Sequence, residues 1–162
     1  MKRTLEEVMG EHMLSVFRVA YAVLNDRNDA EDVAQDTFLA YHLTNEEFET
    51  EEHIRRWLLA VAVNKSKNLV KSAWKRKNRP MEELDETGTA VGFSTEEDRS
   101  LLEAVAELPL KCRTVIHLFY YEDYKVKEIA EMLDVSENTV KSQLHRGRKL
   151  LKAILREEWE DE

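Results

Sequence analysis

Apolar residues recur at intervals of three and four along most of this chain, with polar residues between them, the period of amphipathic helices. Leu5, Val8, Met9, Met13, Val16, Phe17, Ala20, Val23 and Leu24 predict a helix over residues 4–24. Asn25-Asp26-Arg27-Asn28 ends it, and Asn28 is placed to cap a second helix with an acidic first turn. Ala30, Val33, Ala34, Phe38 and Tyr41 give that helix its buried face. The stretch TNEEFETEEH at 44–53 breaks the period and reads as a loop. From Glu52 to about Lys77 the period returns, with Ile54, Leu58, Val61, Ala62 and Leu69 on one side. Residues 78–97 show neither helical nor strand period and carry Pro80, two glycines and an acidic excess, so they read as a linker. Leu101, Leu102, Val105 and Leu108 open a second helical unit, Pro109 interrupts it, and Val115, Ile116, Phe119 and Tyr120 mark the next helix.

The stretch VKEIAEMLDVSENTVKSQLHRGRKLL at 126–151 then reads as a helix-turn-helix. Ile129, Ala130 and Leu133 form the stripe of a short first helix, and Val140 and Leu144 repeat the spacing in the second. Ala130 is small where the helices are expected to cross. In the turn Asp134-Val135-Ser136, Val135 is expected to plug the angle and Ser136 to cap the second helix. Asp134 stands where glycine is frequent. Asn138, Lys141, Ser142, His145, Arg146 and Lys149 project outward, followed by Arg148 and Lys152, with Thr139 beside them. Such a face suits a major groove, where Lys and Arg read guanine and Asn reads adenine. The plainer alternative is a helical hairpin with a solvated basic face.

Composition narrows the class. Four Gly, two Pro and 35% charged residues predict an all-α chain of two small helical domains, 1–77 and 98–162, joined by a flexible linker at 78–97, the C-terminal domain being a four-helix unit. The single Cys112 excludes an internal disulfide or a cysteine-based zinc site and fits a reducing compartment. The Met1-Lys2-Arg3 start runs directly into the first helix and no apolar run is long enough to span a bilayer, so a cytoplasmic location is expected.

The net charge of -9 argues against nucleic acid until it is divided along the chain. Residues 1–50 hold 4 Lys and Arg against 11 Asp and Glu, residues 51–81 hold 9 against 2, and residues 82–108 hold 1 against 9. Residues 109–156 hold 10 against 6, and five acids close the chain around Trp159. Two basic blocks inside an acidic chain predict two separate nucleic-acid contacts, with the acidic segments weakening binding to arbitrary DNA.

Asn64, Lys67, Asn68, Lys71 and Lys75 share about a third of the third helix's circumference, bordered by Trp57 and Trp74. Charge for phosphates beside flat faces for bases is what an unpaired strand requires, although a solvated basic face with core tryptophans has the same pattern. Phe48, among acids in the loop before this helix, is either packed or free to stack on a base. On the second helix Asp32, Gln35, Asp36 and Leu39 form an acidic face with one leucine. No catalytic set is visible: the five histidines are scattered, no Glu-His metal spacing occurs and there is no phosphate loop, so neither enzyme activity, a metal nor a cofactor is expected.

Taken together, DAEDVAQDTF at 29–38, RRWLLAVAVNKSKN at 55–68 and the segment 108–151 resemble a bacterial RNA polymerase sigma factor of the extracytoplasmic-function group in the sigma-70 family. The likeness covers nearly the whole chain. It implies an alternative sigma factor that binds core RNA polymerase and directs initiation at promoters with -35 and -10 elements. By this resemblance Asp32, Gln35, Asp36 and Leu39 would dock on the clamp helices of the polymerase's largest subunit, and the flap of the second-largest subunit would meet the C-terminal domain. Phe48, Asn64, Lys67, Lys71 and Lys75 would capture the -10 strand; Asn138, Thr139, Lys141, Ser142, His145, Arg146 and Arg148 would read the -35 element. His145 and the acidic loop at 46–52 leave the preferred sequences open. The resemblance also implies an anti-sigma partner able to hold the chain near the membrane, and no small-molecule substrate. The rival reading, a dimeric helix-turn-helix regulator on a palindromic operator, leaves residues 29–77 unexplained.

Overall fold

The computed structural model describes the backbone of residues 3–77 and 103–160 and the side chains of residues 3–73 and 103–156. Three helices build the first domain: α1 (Leu5–Leu24), α2 (Arg27–Leu43) and α3 (Glu51–Lys77). Their apolar stripes meet in one core, where Val8, Val16 and Ala20 of α1 face Val33, Ala34 and Phe38 of α2 and Ile54, Leu58 and Ala62 of α3. Thr4 caps α1 by accepting from the Glu7 amide, and Asn25 ends it in the left-handed region at φ 52°. The cap of α2 is Asp26, whose side chain accepts from the Asp29 amide at 2.9 Å. Asn28 therefore does not cap it: the break between the helices is only two residues long, and Asn28 already lies inside the first turn.

The second domain holds a helical stretch at 103–106, α4 (Leu110–Ile116), α5 (Val126–Leu133) and α6 (Glu137–Glu160). Past Ile116, α4 widens into a π-turn over His117–Tyr121, closed by the Glu122 amide donating to His117 O at 3.2 Å. Leu108, Val115, Ile116, Leu118, Ile129, Val140 and Leu144 form this domain's buried centre. Among the described residues there are no strands, as an all-α chain requires, and no helix is long and apolar enough to cross a membrane. The linker expected at 78–97 lies outside the described residues.

The helix-turn-helix forms as its spacing predicts, with one local difference. Ser136 caps α6, accepting from the Thr139 amide at 3.1 Å. Val135 does not plug the angle; it is 38% exposed, and its contribution is an amide donated back to Ala130 O at 3.0 Å. Ala130 is buried, and α6 also crosses α4 closely at Gly147, where an added Cβ would stand 2.9 Å from Ile116 Cγ1. Asp134 takes the left-handed conformation at φ 54° and ψ 50°. A residue with a Cβ is strained there by about 1–2 kcal/mol, least for Asn and Asp. Asp134→Gly is therefore expected to stabilise the chain by up to about 1 kcal/mol, raising Tm by about 2–4 °C for a chain of this size. Calorimetry checks this, and a lowered Tm would mean that the aspartate side chain supports the turn.

Candidate functional site

Three polar faces stand out. The first lies on α6, whose buried seam of Val140, Leu144 and Gly147 turns one side inward. Asn138, Lys141, Ser142, His145, Arg146 and Lys149 are all exposed on the opposite side, within about 140° of the circumference at ~100° per residue. Thr139 is half-buried, its hydroxyl 2.8 Å from Ser136 Oγ, so it belongs to the cap. Arg148 sits at the rim and is already engaged: its Nε donates to Tyr120 Oη at 2.6 Å, and its guanidinium lies 5.4 Å from the Phe119 ring centre. It is the member of the predicted reading set that a partner would have to compete for.

The second face runs along α3. Asn64, Asn68 and Lys71 are exposed, Lys67 is half-buried, and the side chain of Lys75 lies outside the described residues. The expectation that Phe48 offers its ring to a base is corrected. Phe48 is 1% exposed, with ring centres of His53 at 5.0 Å, Tyr41 at 5.5 Å and Trp57 at 5.6 Å. Burying a phenyl ring in an aromatic cluster is worth several kcal/mol, whereas stacking in solvent competes with water. What the loop presents outward is its acids, Glu46, Glu47 and Glu49.

The third face lies on α2, where Asp32, Gln35, Asp36 and Leu39 are exposed along one stripe, Leu39 by 53%. Leu43, 68% exposed one turn further on, extends it. Sequence reading missed Leu43, although its spacing of four from Leu39 carried the signal. Uncovered leucines beside acids make a surface suited to an apolar and basic partner.

Two further features surround these faces. Val105, Ile116, Tyr120, Tyr121, Leu151 and Leu155 line an apolar groove of about 600 Å³, and Arg148, Lys152 and Arg156, four residues apart on α6, stand along it. Where α1 meets the start of α3, Glu11, His12 and Glu51 bring their ligand atoms within 4.8 Å of one another. The Arg3 guanidinium fills the place of a cation there, donating to Glu11 at 2.7 Å and Glu51 at 2.6 Å.

The two domains touch through charged and apolar groups that sequence reading did not pair. Arg55 of α3 donates to the buried Glu122 carboxylate at 2.6 Å and lies 4.8 Å from the Tyr124 ring centre, while His117 Nε2 stands 3.2 Å from the other Glu122 oxygen. Arg56 pairs with Glu128 on α5. The Glu128 carboxyl is held below the usual carboxylate range, first by the Lys125 amide it accepts from and then by Arg56. Arg113, 1% exposed, donates to Val23 O in the last turn of α1, where carbonyls without helical partners carry the negative end of the helix dipole. Val23, Val70 and Leu110 pack together at the same seam. Beside it Lys67 has its ammonium pKa pushed down, first by burial and then by Lys111 and Lys71.

The chain matches two family models, Sigma-70 region 2 over residues 8–76 and Sigma-70 region 4 over residues 98–151. It is 30% identical over 160 residues to the RNA polymerase sigma factor SigV of Bacillus subtilis, covering 97% of this chain and 94% of the relative. It is 33% identical over 154 residues to the ECF RNA polymerase sigma factor SigL of Mycobacterium tuberculosis, covering 91% and 86%. In fold it is similar to the sigma factor RpoE of Bartonella quintana, solved in complex with the anti-sigma factor NepR, with a TM-score of 0.78, 16% identity and coverage of 93% and 96%. CnrH, solved in complex with the cytosolic domain of CnrY, gives a TM-score of 0.65 at 23% identity, with coverage of 94% and 87%.

Proposed function

We propose a division of labour for a chain that belongs to the extracytoplasmic-function group of the sigma-70 family of RNA polymerase sigma factors. It is an alternative sigma factor, and its task is to bring core polymerase to particular promoters. In this reading α6 lies in the major groove of the -35 element and presents Asn138, Lys141, Ser142, His145 and Arg146 to base edges. The α3 face, with Asn64, Lys67, Lys71 and Lys75, follows the unpaired -10 strand and supplies charge for its phosphates. With Phe48 buried, the loop before α3 contributes acids to that site and no stacking ring.

The acidic α2 stripe of Asp32, Gln35, Asp36, Leu39 and Leu43 docks on the clamp helices of the largest polymerase subunit. The flap of the second-largest subunit takes the apolar groove of the second domain, where Tyr120 and Leu155 give it contact area. An anti-sigma protein regulates the chain, a reading supported by the RpoE likeness, which was solved bound to one. The reaction itself belongs to the polymerase.

The observation that carries the reading is the exposed polar face of α6 opposite its buried Val140–Leu144 seam, the geometry that groove insertion requires. Co-elution of the purified chain with core RNA polymerase, followed by transcription from a pool of promoter fragments, tests it. New promoter-specific transcripts support it; a chain that ignores polymerase and shifts a palindromic duplex as a dimer overturns it.

For the docking stripe, Asp32→Lys combined with Asp36→Lys is expected to weaken polymerase binding by about 10- to 100-fold, the loss of about 1.4–2.8 kcal/mol from two reversed charges at an interface. Circular dichroism should be unchanged, because both side chains are exposed. Undiminished affinity would move the docking site elsewhere.

A further inference from the structure

We infer that Tyr120 is a positioning residue for promoter binding: its hydroxyl holds Arg148 so that the outer edge of the guanidinium meets a phosphate at the wall of the -35 groove. This rests on the reading of α6 given above. A helix-turn-helix meets base edges with the N-terminal residues of its second helix, and the major groove is about 12 Å wide. Arg148 stands 11 residues beyond Glu137, the first residue of α6, or about 16 Å at 1.5 Å per residue. It is therefore past the bases that Asn138 and Lys141 reach. At ~100° per residue it nevertheless lies within about 20° of Lys141 around the helix, because the seven residues between them complete almost two turns. A cation that far along, on that side, faces the sugar-phosphate strand.

The surroundings of Arg148 suit a phosphate better than a base. Its Nε donates to Tyr120 Oη at 2.6 Å, and its guanidinium lies 5.4 Å from the Phe119 ring centre and 5.5 Å from that of Tyr120. The two rings stand at 74° with centres 4.9 Å apart, so they hold the side chain from two directions. Neither neutralises it. Among the described residues no carboxylate pairs with Arg148, whereas Arg3, Arg27, Arg55 and Arg56 each have one. One of its N–H donors is used and the four on the terminal amines remain, the edge that grips a phosphate through two parallel bonds. A contact to bases nearer the helix start would pull the side chain off Tyr120, while a phosphate is met with that bond intact. Tyr120 lies in the π-turn and is 50% exposed, so its hydroxyl satisfies no buried core. What it does is order a long side chain before DNA arrives, and that ordering otherwise costs affinity.

Promoter binding by holoenzymes purified after assembly, on a fragment recovered from the pool described above, tests this. Arg148→Ala is expected to bind about 10- to 150-fold more weakly, the loss of hydrogen bonds from a charged group. Its salt slope should fall by about 1, with every member of a library randomised across the -35 element weakened alike. Tyr120→Phe keeps the ring and removes the hydroxyl. It is expected to bind about 2- to 10-fold more weakly, the ordering cost of one long side chain, at an unchanged salt slope. The two effects should not add: in the Arg148→Ala background, Tyr120→Phe is expected to change nothing further.

A merely structural tyrosine behaves otherwise, since its loss would weaken binding equally with or without Arg148. That additive result overturns the positioning role. Relaxed preference at a single -35 position in Arg148→Ala would make Arg148 a base reader and overturns the phosphate contact. Lys141→Ala in the same assay keeps the reading of α6 separate. If it alters promoter choice while Arg148→Ala and Tyr120→Phe bind as the wild type does, only this inference fails; if none of the three variants changes binding, α6 is not the reading helix and both fail.

Discussion

Gly147→Leu is expected to destabilise the second domain by about 3 kcal/mol or more, at the upper end of what overpacking costs. The reason is the crossing of α4 and α6. A Cβ at position 147 would stand 2.9 Å from Ile116 Cγ1, 3.3 Å from Ile116 Cδ1 and 3.5 Å from Cys112 Cβ. Ile116 and Cys112 are each 1% exposed, so an added side chain has to push into a packed crossing or turn Ile116 toward the groove it lines. Alanine adds one carbon and is expected to cost about 1 kcal/mol, whereas leucine adds a branched group that forces the helices apart. Urea unfolding of the three proteins measures the series. A leucine variant with the wild-type midpoint would mean that the two helices are not this close. Because α6 carries both the buried seam and the exposed polar face, the leucine variant should also lose promoter-specific transcription at temperatures where it remains folded.

Lys141→Ala and Arg146→Ala are each expected to reduce initiation at the cognate promoter by about 5- to 150-fold, the loss of about 1–3 kcal/mol for a base contact. Both side chains are exposed, so stability should not change. Two signatures separate the roles a cation can have. Loss of a base contact relaxes preference at one position of the -35 element, while loss of a phosphate contact weakens all sequences alike and lowers the salt slope by about 1. Transcription from a library randomised across that element distinguishes them. Unchanged promoter choice in both variants would remove α6 as the reading helix.

Much of this architecture is legible in the sequence because helical period reports burial against neighbours close in the chain. Val8, Val16 and Ala20, or Val140 and Leu144, announce their faces without knowledge of the partner helix. Helix ends are less legible. Asp26 and Asn28 are both capping residue types, and only the position of the break decides that Asp26 has the orphan amide in reach. Phe48 among acids gave no local sign of burial, since its cover comes from Tyr41 and Trp57 on two different helices. Gly147 lies inside a strongly helical pattern, and nothing local marks it as a crossing point until Ile116 is placed opposite it.

The contact between the two domains was the least legible feature. Arg55 and Arg56 belong by composition to a basic block that reads as a nucleic-acid contact, yet their partners Glu122 and Glu128 come 67 and 72 positions later. Opposite charges at that separation have no pattern that a period could reveal. The exposed faces fared better. A polar stripe on an otherwise amphipathic helix is local information, and Asp32, Gln35, Asp36 and Leu39 on α2, like Asn138, Lys141 and His145 on α6, are all exposed as that spacing predicts.

The bond from Arg113 to Val23 O joins residues 90 positions apart, and that separation becomes a time during synthesis. At about 5–20 residues per second, roughly 5 to 20 seconds pass between the appearance of Val23 and of Arg113 on the ribosome. Helices form and collapse in microseconds, so α1, α2 and α3 can assemble in the later part of this interval, before the residues that bind them are made. A nascent first domain thus stands with Val23 and Val70 uncovered, and it displays its α2 stripe while still attached to the translating ribosome. Every newly made molecule passes once through a form in which the first domain stands alone, before its second domain exists to cover it.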